Sequence, residues 1–128
     1  MRILLLADIH ANWPALQAIN EPFDVCLVLG DLVDYGLDPV PCIDWVRNRA
    51  SYAVRGNHDH GVAQFVKVQG KSGFKYLTTM TRAVTQERIS IDDRRFLGTL
   101  PVSRRVTLDN VRFMMVHATP RDPLDEYA

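Results

Sequence analysis

Four apolar runs in this chain end on side chains able to bind metal ions. Arg2 to Ala7 runs into Asp8-Ile9-His10, Val25 to Leu29 into Gly30-Asp31, Tyr52 to Arg55 into Gly56-Asn57-His58-Asp59, and Val111 to Val116 into His117. Side chains of an extended chain alternate with a period of two. Asp8 and His10 would therefore face the same way, offering one carboxylate and one imidazole to Mn²⁺, Fe or Zn²⁺. Asp31 has two oxygens and can bridge two ions about 3.5–4 Å apart. Asn57 contributes a neutral amide oxygen, adding no negative charge to a site meant for phosphate, and His117 contributes nitrogen to the second ion. Such a pair lowers the pKa of a shared water and clamps a phosphoryl group for in-line attack. His58 is then free to protonate or stabilise the leaving oxygen, with Asp59 as the partner that would orient its ring.

A single Asp or His after a strand is ordinarily a turn residue or a solvated side chain. Four such endings in one short chain are better explained by a shared metal site. His60, two residues past His58, is the spare histidine and reads as a solvent-facing or packing residue rather than a substitute ligand.

The elements that must position these groups follow from apolar patterning. Val25 to Leu29 is an unbroken apolar run, the mark of a strand buried on both faces of a sheet. A chain leaving it through Gly30 puts Asp31 at the carboxyl end of the strand, where open α/β sheets keep their ligands. Asn12 can cap a short helix over Trp13 to Ile19 with Pro14 in its first turn. A second helix runs from Val40 to Arg49, with Ile43 and Val46 inward and Arg47 and Arg49 near its C-terminus, where the helix dipole favours them. Strand, helix, strand, helix, strand is a parallel βαβ pattern. Beyond it, Gly61 to Val68 reads as a short helix, Gln69 to Gly73 as a loop, and Phe74 to Arg88 as a helix carrying Tyr76, Leu77, Met80 and Val84 at helical intervals. Gly70-Lys71-Ser72 resembles the end of a phosphate-binding loop, but no glycine stands five residues before Gly70 and no apolar strand leads in, so a plain loop is expected. Ser90 and Asp93 form a capping box, with Asp in place of the usual Glu or Gln, for a helix over Ile91 to Leu100 that stops at Pro101. Val102 to Leu108 and Val111 to His117 flank Asp109-Asn110, residues that tolerate positive φ, and read as a β-hairpin.

Bulk properties bound the function classes. At 128 residues the chain is one domain's worth, enough for a real core. Its 15 basic and 15 acidic residues cancel, so charge predicts attraction neither to nucleic acid nor to membrane surfaces. The apolar run Ile3 to Ala7 is broken by Asp8, too early for a signal peptide or a span. Cys26 and Cys42 lack metal or redox spacing and read as reduced structural thiols of a cytoplasmic protein. A nucleotide-binding α/β domain without metals fits poorly, because no GxGxxG follows the first strand and Asp8 would repel phosphate unless a cation intervened.

In motif order Asp8-x-His10, Gly30-Asp31-x-x-Asp34-x-Gly36, Gly56-Asn57-His58-Asp59 and the strand-end His117, the chain resembles the calcineurin-like metallophosphoesterase superfamily. It is most similar to small prokaryotic members in stretches such as Gly30 to Pro39 and Val116 to Pro123, and the likeness covers essentially all residues 1–128. The resemblance implies an α/β fold, an αββα sandwich, and a phosphoester substrate. By it, Asp8 and His10 hold the first metal, Asp31 bridges, Asn57 and His117 hold the second, and His58 is the catalytic histidine near the leaving group. It implies two divalent metal ions, with Mn²⁺ expected first and Fe, Zn²⁺ or Ni²⁺ as alternatives.

One departure matters. The superfamily's final GHxH motif, which supplies one more imidazole to each metal, is absent, and the chain ends at Asp122-Pro-Leu-Asp-Glu-Tyr-Ala128. The chain is therefore expected to be the N-terminal part of such a domain, C-terminally incomplete, with three protein ligands per metal when Asp31 is counted twice. Metal affinity would be weakened, and an exposed sheet edge and apolar face would favour association into a homo-oligomer. The expected activity is hydrolysis of phosphomonoesters or phosphodiesters by attack of a metal-bound hydroxide. The alternative is an inactive or weakly metal-binding scaffold on the same fold, serving as a protein-interaction module. The intact His58 argues against that alternative and the missing GHxH argues for it.

Overall fold

The computed structural model describes residues 1–68 and 70–127. Strands β1 (Ile3–Leu6), β2 (Val25–Val28) and β3 (Tyr52–Ala53) form a parallel sheet in the order β1-β2-β3. The register pairs Ile3 with Val25, Leu6 with Val28 and Leu27 with Tyr52. Between them run α1 (Trp13–Gln17) and α2 (Pro39–Arg49). The side chain of Asn12 accepts the Ala15 N–H and starts α1 as its sequence suggests.

The central strand explains the layering. Cys26 and Val28 point to a core shared with Leu16, Cys42, Ile43, Val46 and Leu97, whereas Leu27 points the other way, to Val54, Val106, Leu108 and Met115. With a period of two, one strand feeds two cores. The second core lies against a hairpin of β4 (Ser103–Leu108) and β5 (Val111–Val116), turned by Asp109 and Asn110 at φ 47° and 63°. The described residues thus build helices, a parallel sheet and an antiparallel hairpin, three layers of the expected αββα sandwich. On β1, Ile3 and Leu5 share the hairpin-side face with Leu27 yet remain 38% and 59% exposed. This is the uncovered apolar face that the sequence leads one to expect.

The helices after β3 are α3 (Asn57–Ala63), α4 (Gly73–Arg88) and α5 (Ile91–Thr99). The expected helix over Gly61 to Val68 is displaced toward the N-terminus. The Asp59 carboxylate accepts the Gly56 N–H, which satisfies a free donor at the first turn and lets the helix start at Asn57. Of the expected loop from Gln69 to Gly73, Gln69 lies outside the described residues and Gly73 opens α4. Ser90 and Asp93 cap α5 reciprocally, the Ser90 hydroxyl accepting the Asp93 N–H and the Asp93 carboxylate the Ser90 N–H. No helix among the described residues is long and apolar enough to cross a membrane.

Candidate metal centre

All three sheet strands and β5 end on one rim, around a cavity of about 420 Å³ lined by Asp8, His10, Asp31, Asn57, His58 and His117. Asp8 and His10 reach it differently from the expected extended alternation. The backbone leaves β1 before them and kinks, with φ 54° at Asp8 and 46° at His10. Left-handed backbone costs a non-glycine residue on the order of 1–3 kcal/mol, so it persists where neighbours over-determine it. Here Asp8 N–H donates to Gly30 O (3.0 Å), His10 N–H to Asp31 O (2.9 Å) and Ala11 N–H to Leu32 O (2.7 Å). The β1 exit is thus laced to the β2 exit, which is itself kinked at Gly30 and Asp31 (φ 94° and 58°).

Asp31 sits at the junction, 3% exposed. Its Oδ2 lies 3.5 Å from His10 Nε2 and 3.3 Å from His117 Nε2, and its Oδ1 accepts the His58 backbone N–H at 3.0 Å. Gly56 permits this approach, since a Cβ there would lie 2.8 Å from Asp31 Cγ. Burial works to raise the Asp31 carboxyl. The hydrogen bond to His117, the charges of His58 and His117 and the His58 N–H outweigh it, holding the group below its ordinary value.

Asp59 corrects the sequence reading. It does not orient the His58 ring but is fully buried behind the cavity, where it accepts N–H bonds from Asp31 and Leu32 (both 2.8 Å) and Gly56 (2.9 Å). It ties the β2 exit to the β3 exit. Burial and the neighbouring Asp31 charge push its pKa up to about 7, against those three donors, which favour the ionised form. Removing the side chain strands three buried donors, each worth about 1–3 kcal/mol. Asp59→Ala should therefore lose about 3 kcal/mol or more of stability in urea denaturation, whereas Asp59→Asn, which keeps an acceptor, should lose less. Equal stability of Asp59→Ala and the parent would contradict this role.

Two histidines each turn one ring nitrogen to the cavity. His10 Nδ1 lies 2.8 Å from Val33 O, and His117 Nδ1 lies 2.8 Å from Leu29 O. A carbonyl only accepts, so each Nδ1 carries hydrogen and each Nε2 faces the cavity, the arrangement typical of metal-bound imidazole. The donors form two groups sharing Asp31, one of His10, Asp31 and His58 and one of Asp8, Asp31 and His117, with the ligand atoms of each group within 4.8 Å of one another. Asp8 Oδ1 also lies 3.7 Å from His10 Nε2, within reach of the first group. Asn57 Oδ1 adds to the second, 3.1 Å from His117 Nε2. This mixed oxygen and nitrogen set fits first-row divalent ions.

His117 Nε2 lies between Asp31 Oδ2 and Asn57 Oδ1, where a proton serves as a cation would. Its hydrogen bond to Asp31 comes first among the causes that carry its pKa up to about 9, against burial and together with the Asp31 charge. An imidazole raised in this way contributes stability that is fully present below about 6.5 and is lost as pH rises through about 9. A metal ion held at His117 would have to displace the same proton, so its affinity should then rise about tenfold per pH unit until His117 deprotonates. Calorimetric titration in buffers of different ionisation enthalpy would count the released proton, and a pH-independent affinity would contradict the assignment.

His58 is oriented by Asp34, a residue that the sequence reading left without a role. His58 Nδ1 lies 2.7 Å from Asp34 Oδ2, which turns Nε2 toward the cavity. Burial depresses the imidazole, but the hydrogen bond to Asp34 and the charges of Asp31 and Asp34 raise it above its ordinary value, Arg82 working the other way. Asp34 stands three residues after Asp31 in the same glycine-bounded stretch, and that spacing was the available signal. Tyr35 was also missed; its ring packs edge-on to His10 at 4.6 Å and lies 5.0 Å from the His58 ring, between centroids. His60 lies outside the cavity, its Nδ1 2.9 Å from Arg55 Nη1.

Comparison with known proteins agrees with this geometry. The chain is 30% identical to an uncharacterized protein of Methanocaldococcus jannaschii, over 94% of this chain and 51% of that protein. A metallophosphoesterase from Sphaerobacter thermophilus superposes on all of it with a TM-score of 0.80 and 31% identity, 51% of that chain being covered. A hypothetical protein from Pyrococcus horikoshii OT3 shares the fold at TM-score 0.74 and 18% identity, over 97% of this chain and 57% of the other. The chain thus spans about half the length of the relatives it matches. The family model described as calcineurin-like phosphoesterase matches residues 1–125, and the chain belongs to that family.

Proposed function

We propose that this chain hydrolyses phosphomonoesters or phosphodiesters with two divalent cations, Mn²⁺ before Fe, Zn²⁺ or Ni²⁺. The observation that carries the reading is Asp31, whose Oδ2 lies within 3.5 Å of both His10 Nε2 and His117 Nε2. Asp8 and His10 would hold the first ion and Asn57 and His117 the second, with Asp31 shared between them. When bound, the ions supply charge to neutralise the phosphoryl oxygens and acidify water. His58, with Nδ1 hydrogen-bonded to Asp34, would present Nε2 to the leaving oxygen and deliver the proton it needs. Asn57 would bring oxygen without adding to the negative charge of Asp8 and Asp31, which the cations would offset. Cys26 and Cys42 are free and fully buried, and burial raises their thiols to about 11 and 12, as suits unreactive cysteines in the reducing cytoplasm.

The test is calorimetric titration of this chain with Mn²⁺, paired with hydrolysis of a chromogenic phosphodiester and phosphomonoester. Two-site binding with turnover that a chelator abolishes is the expected result. A chain that binds Mn²⁺ at neither site and turns over neither ester would overturn the reading.

A further inference from the structure

Arg82 lies on α4, outside the motifs that hold the metal-binding candidates, yet its guanidinium reaches the centre. Its Nε lies 3.0 and 2.9 Å from the two oxygens of Asp34, and its Nη2 lies 2.6 Å from Oδ2. Nη1 donates to Val66 O at 3.2 Å. Asp34 is fully buried and the Arg82 side chain is 13% exposed. The space exists because residue 61 is glycine, as a Cβ there would lie 2.7 Å from Arg82 Nη1.

The preceding residue grips the next position of the same turn. Thr81 Oγ1 accepts the Tyr35 N–H at 2.9 Å while donating to Leu77 O at 2.8 Å. Asp34 and Tyr35 are consecutive non-glycine residues in left-handed backbone, φ 66° and 61°. That conformation is costly and does not hold itself. Two adjacent residues of α4 therefore secure the strained turn, one through its backbone and one through its carboxylate. The same carboxylate then takes the His58 Nδ1 hydrogen. A carboxylate spanned by a planar guanidinium has its direction set on two oxygens, which a point charge cannot do.

We propose that Arg82 is a positioning residue for His58, acting through Asp34 to aim the imidazole at the leaving group. The proposal rests on the phosphoesterase reading for its consequence in turnover, but its geometry can be tested without turnover. A sheltered Nδ1–H bonded to a carboxylate gives a far-downfield proton resonance, assignable to His58 by its absence from His58→Gln. The metal-free chain should show that resonance, and Arg82→Met should broaden or abolish it. In the Mn²⁺-loaded chain, Arg82→Met should lower kcat about tenfold or more with KM and Mn²⁺ affinity nearly unchanged, since misaiming a catalytic group costs chemistry rather than binding. Added guanidinium should recover part of the loss.

A purely structural ion pair would lower the unfolding midpoint and leave both the resonance and the kcat of the folded protein intact, which overturns the proposal. If Arg82→Met does not fold, Arg82→Lys decides. It keeps the cation but cannot span Asp34, so a weakened resonance and reduced kcat support the role, and parental values overturn it. A parent chain with the resonance but no turnover, whose resonance Arg82→Met erases, sinks the phosphoesterase reading and leaves the positioning role standing.

Discussion

Asp31→Asn should weaken metal binding at both positions at once, by about 100-fold or more at each, in a calorimetric Mn²⁺ titration. The carboxylate is the member common to the two donor groups, and its Oδ2 lies within 3.5 Å of His10 Nε2 and His117 Nε2. Asparagine is nearly the same shape and can still accept the His58 N–H that Asp31 Oδ1 now accepts. Local structure should survive, so the loss would measure the bridging charge rather than unfolding. A variant that lost one ion and kept the other would show that Asp31 serves a single position.

His58→Ala should do the reverse. General acid catalysis by a positioned side chain contributes about 10²–10⁴ in rate, so kcat should fall within that range while Mn²⁺ affinity holds. The contrast is a demanding one, because His58 also stands within ligand distance of His10 and Asp31. Its Nδ1 is committed to Asp34, leaving Nε2 as the one nitrogen that could either protonate the leaving oxygen or bind an ion. If Asp31→Asn and His58→Ala lose metal equally, His58 is a ligand and does not stand apart from the metals as a proton donor. If His58→Ala binds Mn²⁺ as the parent does and turns over slowly, the imidazole acts on the leaving group.

Much of this centre is legible along the chain because its main signal is local. A run such as Val25 to Leu29 must be buried, and the polar residue after it must then lie at the sheet's rim, whatever the rest of the fold does. The same logic applied to Ala7, Arg55 and Val116 predicts a common rim for Asp8, Asn57 and His117. The parallel order β1-β2-β3 brings the first two to it, and the hairpin packed against Leu27 and Val54 brings His117. For Asp8 and His10 local reasoning found the shared side but not the backbone that produces it. Alternation predicts a shared side on an extended chain, but it is the hydrogen bonds to Gly30, Asp31 and Leu32 that hold the kinked backbone and turn both side chains inward.

By itself the sequence determined which elements form and which donors stand at their ends, through apolar runs, caps and the Asp109-Asn110 turn. Only the tertiary structure decided what those donors are attached to. Asp59 follows His58 directly and looks like its partner, yet besides capping Gly56 three residues before it, it accepts the backbone N–H groups of residues 31 and 32, which no spacing rule brings to it. Asp34 and Arg82 lie 48 positions apart on separate elements. Their pairing depends on how α4 packs over Gly61, and a buried carboxylate takes whichever donors packing brings within reach.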